Sequence, residues 1–276
     1  AKDVTLAIAD KSGKTVRTIR NAARTSGLNR SVWDLRMDVP PPPAGPQPTG
    51  FGPSTGSGQA GRGASAGAAA FFGFGGGGIA ALPGEYTVKL RVDGRETSKP
   101  VAVRMDPRVD ISMADLQAQY DLAIQLQDLS TKATAMTVRV DDLTRQLTAL
   151  QQRLSQRRAL TDGSGAAGQA ESADLGGAVK AAIQKLKTLR DTTLARPLPG
   201  LGYRQYPRFQ EEVRTVFGIV NGDPFPPTEG AKIRYKELVE EGAQLTAELN
   251  EIITKEVSFI NQAMGKLPYV AVETIK

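Results

Sequence analysis

The chain of 276 residues contains neither histidine nor cysteine. That removes the commonest general base, the commonest metal ligand, every thiolate and every Ser-His-Asp arrangement. Carboxylates remain for acid–base chemistry, and three adjacent pairs stand out: Asp141-Asp142, Glu211-Glu212 and Glu240-Glu241. Neighbours on a helix point about 100° apart, so the members of a pair cannot flank one substrate bond as a glycosidase requires. They read as solvated helix faces. Gly75-Gly76-Gly77-Gly78 resembles a phosphate loop only in composition, because no Lys-Ser or Lys-Thr follows and no helix begins there. The remaining ligand types are hard carboxylates without clustered spacing, so neither a metal nor a cofactor is expected. These residues describe a protein that binds or builds, not an enzyme.

The residues suited to binding are aromatic and few. Phe71, Phe72 and Phe74 lie within four positions of one another, with Ile79 close behind, in a stretch rich in glycine. Such a cluster has two readings: a loop folded back over its own domain, or an arm that docks on a protein partner or a lipid surface. Too much glycine surrounds it for a transmembrane helix. Trp33, the single tryptophan, sits between Val32 and Leu35 and reads as a packing residue, with a ligand platform as the rival reading. The net charge is +6, and the whole excess lies in residues 1–110. The basic residues there (Lys11, Lys14, Arg17, Arg20, Arg24, Arg30) are scattered and have no aromatic interleaving, so no nucleic acid is expected. An anionic or membrane surface stays open as a partner.

Elements must hold these residues in place. Residues 4–8 and 15–19 alternate apolar and polar around Lys11-Ser12-Gly13-Lys14, the pattern of a β-hairpin. Arg30–Arg36 reads as a third strand, with Val32 and either Trp33 or Leu35 facing a core. Residues 86–92 and 99–105 give two more strands around the turn Asp93-Gly94. Five short strands predict a small antiparallel immunoglobulin-like β-sandwich over residues 1–110. A Gly/Pro-rich loop at 40–84 interrupts it, with Arg62 as its only charged residue before Glu85. Asp106-Pro107-Arg108 is suited to stopping the last strand and aiming the helix that follows.

From residue 111 the period changes to that of a helix. Ser112-Met113-Ala114-Asp115 reads as a capping box. Leu122, Leu126, Leu129, Ala133, Met136, Val140, Leu143, Leu147, Leu150 and Leu154 then step alternately by four and three, an a/d heptad seam with Leu143 near its middle. The spacing predicts helices over about 113–158, 173–195, 207–221 and 228–265. Together they make residues 111–276 a long antiparallel α-helical bundle or coiled coil, and the whole chain α+β in two domains.

The order of the small motifs resembles a known family. Val4-Thr5-Leu6-x-Ile8-x-Asp10-x-x-Gly13-x-x-Val16-Arg17, then Gly27-Leu28-Asn29-Arg30 with Val32-Trp33-Asp34-Leu35-Arg36, Pro83-Gly84-x-Tyr86-x-Val88-x-Leu90 and Asp106-Pro107-Arg108 look like the C-terminal region of secreted bacterial BNR/Asp-box, sortilin-like β-propeller proteins, often labelled glycosyl hydrolase. The hairpin and the Pro-Gly-x-Tyr strand also resemble the immunoglobulin-like domain of flagellar hook-capping proteins. The resemblance implies a periplasmic or extracellular location in a bacterium and a propeller upstream. It implies no catalytic residue here, since the matching positions are structural. The function expected is a non-catalytic extracytoplasmic interaction or accessory module, whose protein partner docks through residues 63–84 or the helical bundle. Two alternatives stand beside it: an accessory domain of a carbohydrate-active enzyme contacting glycan through Trp33 or the three Phe, and a structural subunit docked on a membrane-embedded complex through the Phe/Gly loop.

Overall fold

A computed structural model of the chain describes residues 3–19, 22, 24–39, 78–160, 166–195, 206–222 and 224–264. Four strands, β1 (Val4–Ala9), β2 (Thr15–Ile19), β3 (Gly84–Val92) and β4 (Arg95–Val103), form one antiparallel sheet in the order β2-β1-β3-β4. Turn chemistry sets both hairpins. The Asp10 carboxylate accepts hydrogen bonds from the Ser12 amide (2.9 Å) and the Lys14 amide (3.0 Å), and Gly13 takes the positive φ that closes the turn. Asp93 and Gly94 both have positive φ (48° and 88°), the two-residue turn that suits the twist of paired strands.

The register places Leu6 opposite both Ile19 and Leu90, Ile8 opposite Val88, and Tyr86 opposite Val101. The period of two therefore puts Val4, Leu6, Ile8, Tyr86, Val88 and Leu90 on one face. Thr5, Ala7, Thr87, Lys89 and Arg91 take the other. The core of this sheet is Ile8, Val16 and Tyr86, with Trp33, Met37, Val88 and Val103 packed against it. Trp33 meets Tyr86 edge to face at 5.3 Å, so it is a core aromatic, as its sequence position suggests.

Arg30–Arg36 does not form the third strand that alternation predicts. Leu35 takes a left-handed φ of 56°, which breaks an extended run, and only Arg36 makes a bridge, to Ala80. Val32 stays 73% exposed while Trp33 alone turns inward. The described residues thus contain four strands in one sheet. The outer edge of β2 is closed by the same segment: the Asp38 amide donates to Val16 O (2.7 Å), and the Asp38 carboxylate accepts from the Thr18 amide (2.8 Å). At the opposite edge β4 carries Lys99 and Pro100, residues that discourage edge pairing.

Five α-helices follow among the described residues: α1 (Met113–Leu160), α2 (Ala166–Leu189), α3 (Phe209–Val220), α4 (Glu229–Ile252) and α5 (Ser258–Ala263). Ser112 caps α1, its hydroxyl accepting from the Asp115 amide (3.0 Å) and donating to the Asp115 carboxylate (2.7 Å). The seam from Leu122 to Leu150 is buried throughout, with Leu143 wholly so. Two π-helical turns, Arg190–Leu194 and Ile253–Val257, extend α2 and join α4 to α5. In a π turn residues five apart share a face, which keeps Leu189 with Leu194, and Ile252 with Val257, in the interior. No helix among the described residues is long and apolar enough to cross a membrane.

The chain divides into two compact units. The described residues up to Gln127 and those within Val216–Lys232 make the first, so it contains the sheet, the start of α1, the end of α3 and the start of α4. The second holds the described residues of Asp128–Thr215 and of the chain from Ile233 onward. In it Gly242 of α4 lies against Phe209 and Leu129; a Cβ there would come within 2.9 Å of the Phe209 ring, so the small residue sets how closely these helices approach.

Candidate functional site

The two ends of the Gly/Pro-rich segment are fastened side by side in the sheet unit. The Met37 amide donates to Ile79 O (2.9 Å) and the Ala81 amide to Leu35 O (2.8 Å). The Trp33 indole N–H donates to Arg36 O (2.9 Å), and the Arg36 guanidinium to Gly78 O (3.0 Å). These bonds hold Leu35 in its left-handed conformation, which costs a non-glycine residue of order 1–3 kcal/mol. The approach at Gly78 is close enough to specify its residue type. A Cβ there would lie 1.8 Å from Met37 O, so of the glycine run this member is required by backbone contact and not by a phosphate.

The sequence groups Ile79 with the three Phe as a contact residue, and the structure corrects this. Ile79 is 2% exposed, an anchor of the loop base and not part of a displayed patch. Its burial follows from the pairing with Met37, which turns the side chain into the sheet unit. Phe71, Phe72 and Phe74 lie outside the described residues.

Beside this base lies a cavity of about 350 Å³, entirely within the sheet unit. Its walls are mainly apolar, with Ile79, Leu82, Val103, Met105, Leu116 and Ala123 among them. That volume falls in the small-ligand range. Polar groups converge on it from several elements: Arg36 from the loop base, Gln119 and Tyr120 from α1, and Asn221 from the end of α3. The Gln119 amide donates to Val220 O (2.6 Å), capping α3. Asn221 spans to the loop base, donating to Gly78 O and accepting from the Ala80 amide, each at 3.4 Å. Tyr120 gives its hydroxyl to the Met37 sulfur at 3.5 Å, a weak acceptor. Burial pushes its phenol up, and the negative charges of Asp10 and Asp121 push the same way, so the group stays a neutral donor at neutral pH.

Two aspartates share the rim, and each is paired with an arginine. Asp34 pairs with Arg17 (3.4 Å) and accepts from the Arg36 amide (3.1 Å). Asp106 is bound by Arg108 at 2.6 Å, and these hydrogen bonds hold its carboxyl below the usual range. Asp106-Pro107-Arg108 is thus the closed turn expected between β4 and α1.

The carboxylate pairs named from the sequence fall apart as pairs. Asp141 binds Arg190 from the π turn that extends α2, while Asp142 binds Arg145 and Gln146 on its own helix. Glu212 and Glu241 are drawn with Glu237 around Arg234. Partial burial of that guanidinium opposes its charge, and the three carboxylates outweigh the effect and raise its pKa. Among the described residues no group of three or more acidic side chains is placed to hold a metal ion.

The cavity residues Arg36, Tyr120 and Asn221 escape sequence reasoning, although one signal for them exists. Leu116, Tyr120 and Ala123 follow a helical spacing out of phase with the heptad seam that starts at Leu122. A second stripe of that kind marks a second packing surface at the start of α1. Comparison with protein-family models, with curated proteins and with solved structures returns no match to this chain.

Proposed function

We propose that the chain is a non-catalytic interaction module that presents the segment between Val39 and Gly78 to a protein partner. What supports this reading is the loop base. Three hydrogen bonds, a strained Leu35 and an obligatory glycine are spent on fastening two chain ends next to each other, which is what a scaffold for a presented loop requires. The absence of histidine and cysteine from the whole sequence and the dispersal of the carboxylates agree with a role outside catalysis.

In this reading the amphipathic sheet is half of an immunoglobulin-like sandwich of the hook-capping type, and the helices form an antiparallel bundle. The module acts outside the cytoplasm, as the C-terminal part of a BNR/Asp-box, sortilin-like propeller protein or as a subunit of a larger assembly. Contact with glycan through the Phe cluster is the competing reading. Replacing Phe71, Phe72 and Phe74 together by Ser separates the possibilities. Purified from its source, the unaltered chain is expected in a stoichiometric complex that the triple variant loses, with the melting temperature of the isolated chain unchanged. A triple variant destabilised by several kcal/mol would place the three rings in the chain's own core and end the proposal. Retention on a glycan array lost with the same substitution would favour the competing reading.

A further inference from the structure

We propose that the cavity of the sheet unit is a binding site for a small apolar monocarboxylate, its hydrocarbon part among Ile79, Leu82, Val103, Leu116 and Ala123 and its carboxylate on Arg36. The argument rests on the charges that line the cavity: the two aspartates are paired, whereas half-buried Arg36 and exposed Arg104 make no ion pair among the described residues. Both aspartates at the rim are paired, Asp34 through Arg17, which it shares with Asp38, and Asp106 through Arg108. The half-buried Arg36 guanidinium has a single acceptor among the described residues, the Gly78 carbonyl, although the group offers five N–H donors. Arg36 lines a mainly apolar space and lacks there the planar, bidentate acceptor for which its fork is shaped.

Tyr120 adds a second donor in the same walls, its hydroxyl held among the described residues only by a sulfur. Two donors above an apolar floor call for an acceptor head on an apolar body. A cation is disfavoured by Arg36, and a neutral alcohol would leave the guanidinium unanswered. The other large clefts offer no comparable demand: the one between α2 and the Ile253–Val257 turn is ringed by Lys185 with Glu256 and by Lys255 with Glu251, charges that already satisfy each other. Arg36 is also well placed to report binding, because its carbonyl accepts from the indole of the only tryptophan.

The test titrates octanoate, octan-1-ol, octylamine and acetate into the full chain, followed by Trp33 fluorescence and calorimetry. Saturable one-to-one binding of octanoate is expected, at least tenfold tighter than octan-1-ol or octylamine, with acetate far weaker than octanoate. Arg36→Gln should weaken octanoate at least tenfold and leave octan-1-ol unchanged, a pattern that mere loss of structure does not produce. Because Arg36 also holds Gly78, the four head groups on the unaltered chain decide the question even where the variant does not fold. Tyr120→Phe gives a second check, with octanoate weakened severalfold. No saturable octanoate binding, equal binding of octanoate and octan-1-ol, or acetate equal to octanoate would each overturn the proposal.

Discussion

At the scale of single residues, the loop base shows how one missing methyl group can decide a local structure. Gly78 lies so close to Met37 that any side chain must push the two segments apart. Gly78→Ala is therefore expected to cost about 1–3 kcal/mol, the usual range for forced overpacking. Thermal denaturation followed by Trp33 fluorescence measures it; an unchanged transition would mean that the contact does not exist in solution. Asp10 works through hydrogen bonds instead. Its bond from the Ser12 hydroxyl, helped by the backbone amides of Lys14 and Ser12, holds its carboxyl below the ordinary value against a smaller effect of burial. A carboxyl depressed by folding stabilises above its unfolded pKa, and that contribution fades as pH falls through the lower folded value. The amide resonances of Ser12 and Lys14 should accordingly shift together in acid with a midpoint below the ordinary aspartate value, and Asp10→Asn should remove the shift. A midpoint at or above that value would refute the account.

At the scale of elements, the spacing of apolar residues encodes more than helix positions. Along α4 and beyond, Leu245, Leu249, Ile252, Val257 and Ile260 step by four, three, five and three, with Ile253 buried beside Ile252, and the step of five falls on the π turn Ile253–Val257. The extra residue lets the seam stay inside where a regular helix would rotate it outward by about 100°. Deleting exposed Thr254 turns that step into four and restores a regular seam. It is expected to cost under about 1 kcal/mol, the scale of ordinary surface changes. Deleting exposed Glu248 has no such compensation and should cost about 3 kcal/mol or more as buried side chains behind it rotate out. Circular-dichroism melts of the two deletions compare them directly, and equal losses would show that the π turn is not what accommodates the step.

At the scale of the whole molecule, the chain forms two compact units with α1, α3 and α4 each divided between them, and their probes are separable. Trp33 reports the sheet unit, while far-ultraviolet circular dichroism is dominated by helices. Leu143 lies wholly buried in the second unit. Leu143→Asp places a charge in that layer and should cost at least about 4 kcal/mol. The circular-dichroism transition is expected to move more than the Trp33 transition. Identical shifts by both probes would mean that the units unfold as one, and an unshifted melt would mean that the seam is not buried in the single chain.

The sequence by itself determined whatever depends on local period and local chemistry. The two hairpins, their turns at Gly13 and Asp93-Gly94, the Ser112 cap and the helix that buries Leu122 to Leu150 all follow from residues within a few positions of each other, and all are found; Leu154, the last position of the expected seam, is only half-buried. The same reasoning failed at Arg30–Arg36, where alternation predicted a strand. There the backbone is bent at Leu35 because Arg36, Met37 and Leu35 must pair with residues 78–81, a demand that arrives from beyond a long intervening segment. Burial of Ile79 has the same origin. The cavity is the extreme case, since Arg36, Tyr120 and Asn221 come from three separate stretches of the chain. No periodicity links such residues. Only tertiary packing decides which polar groups come to face a shared space, and whether their charges are answered there.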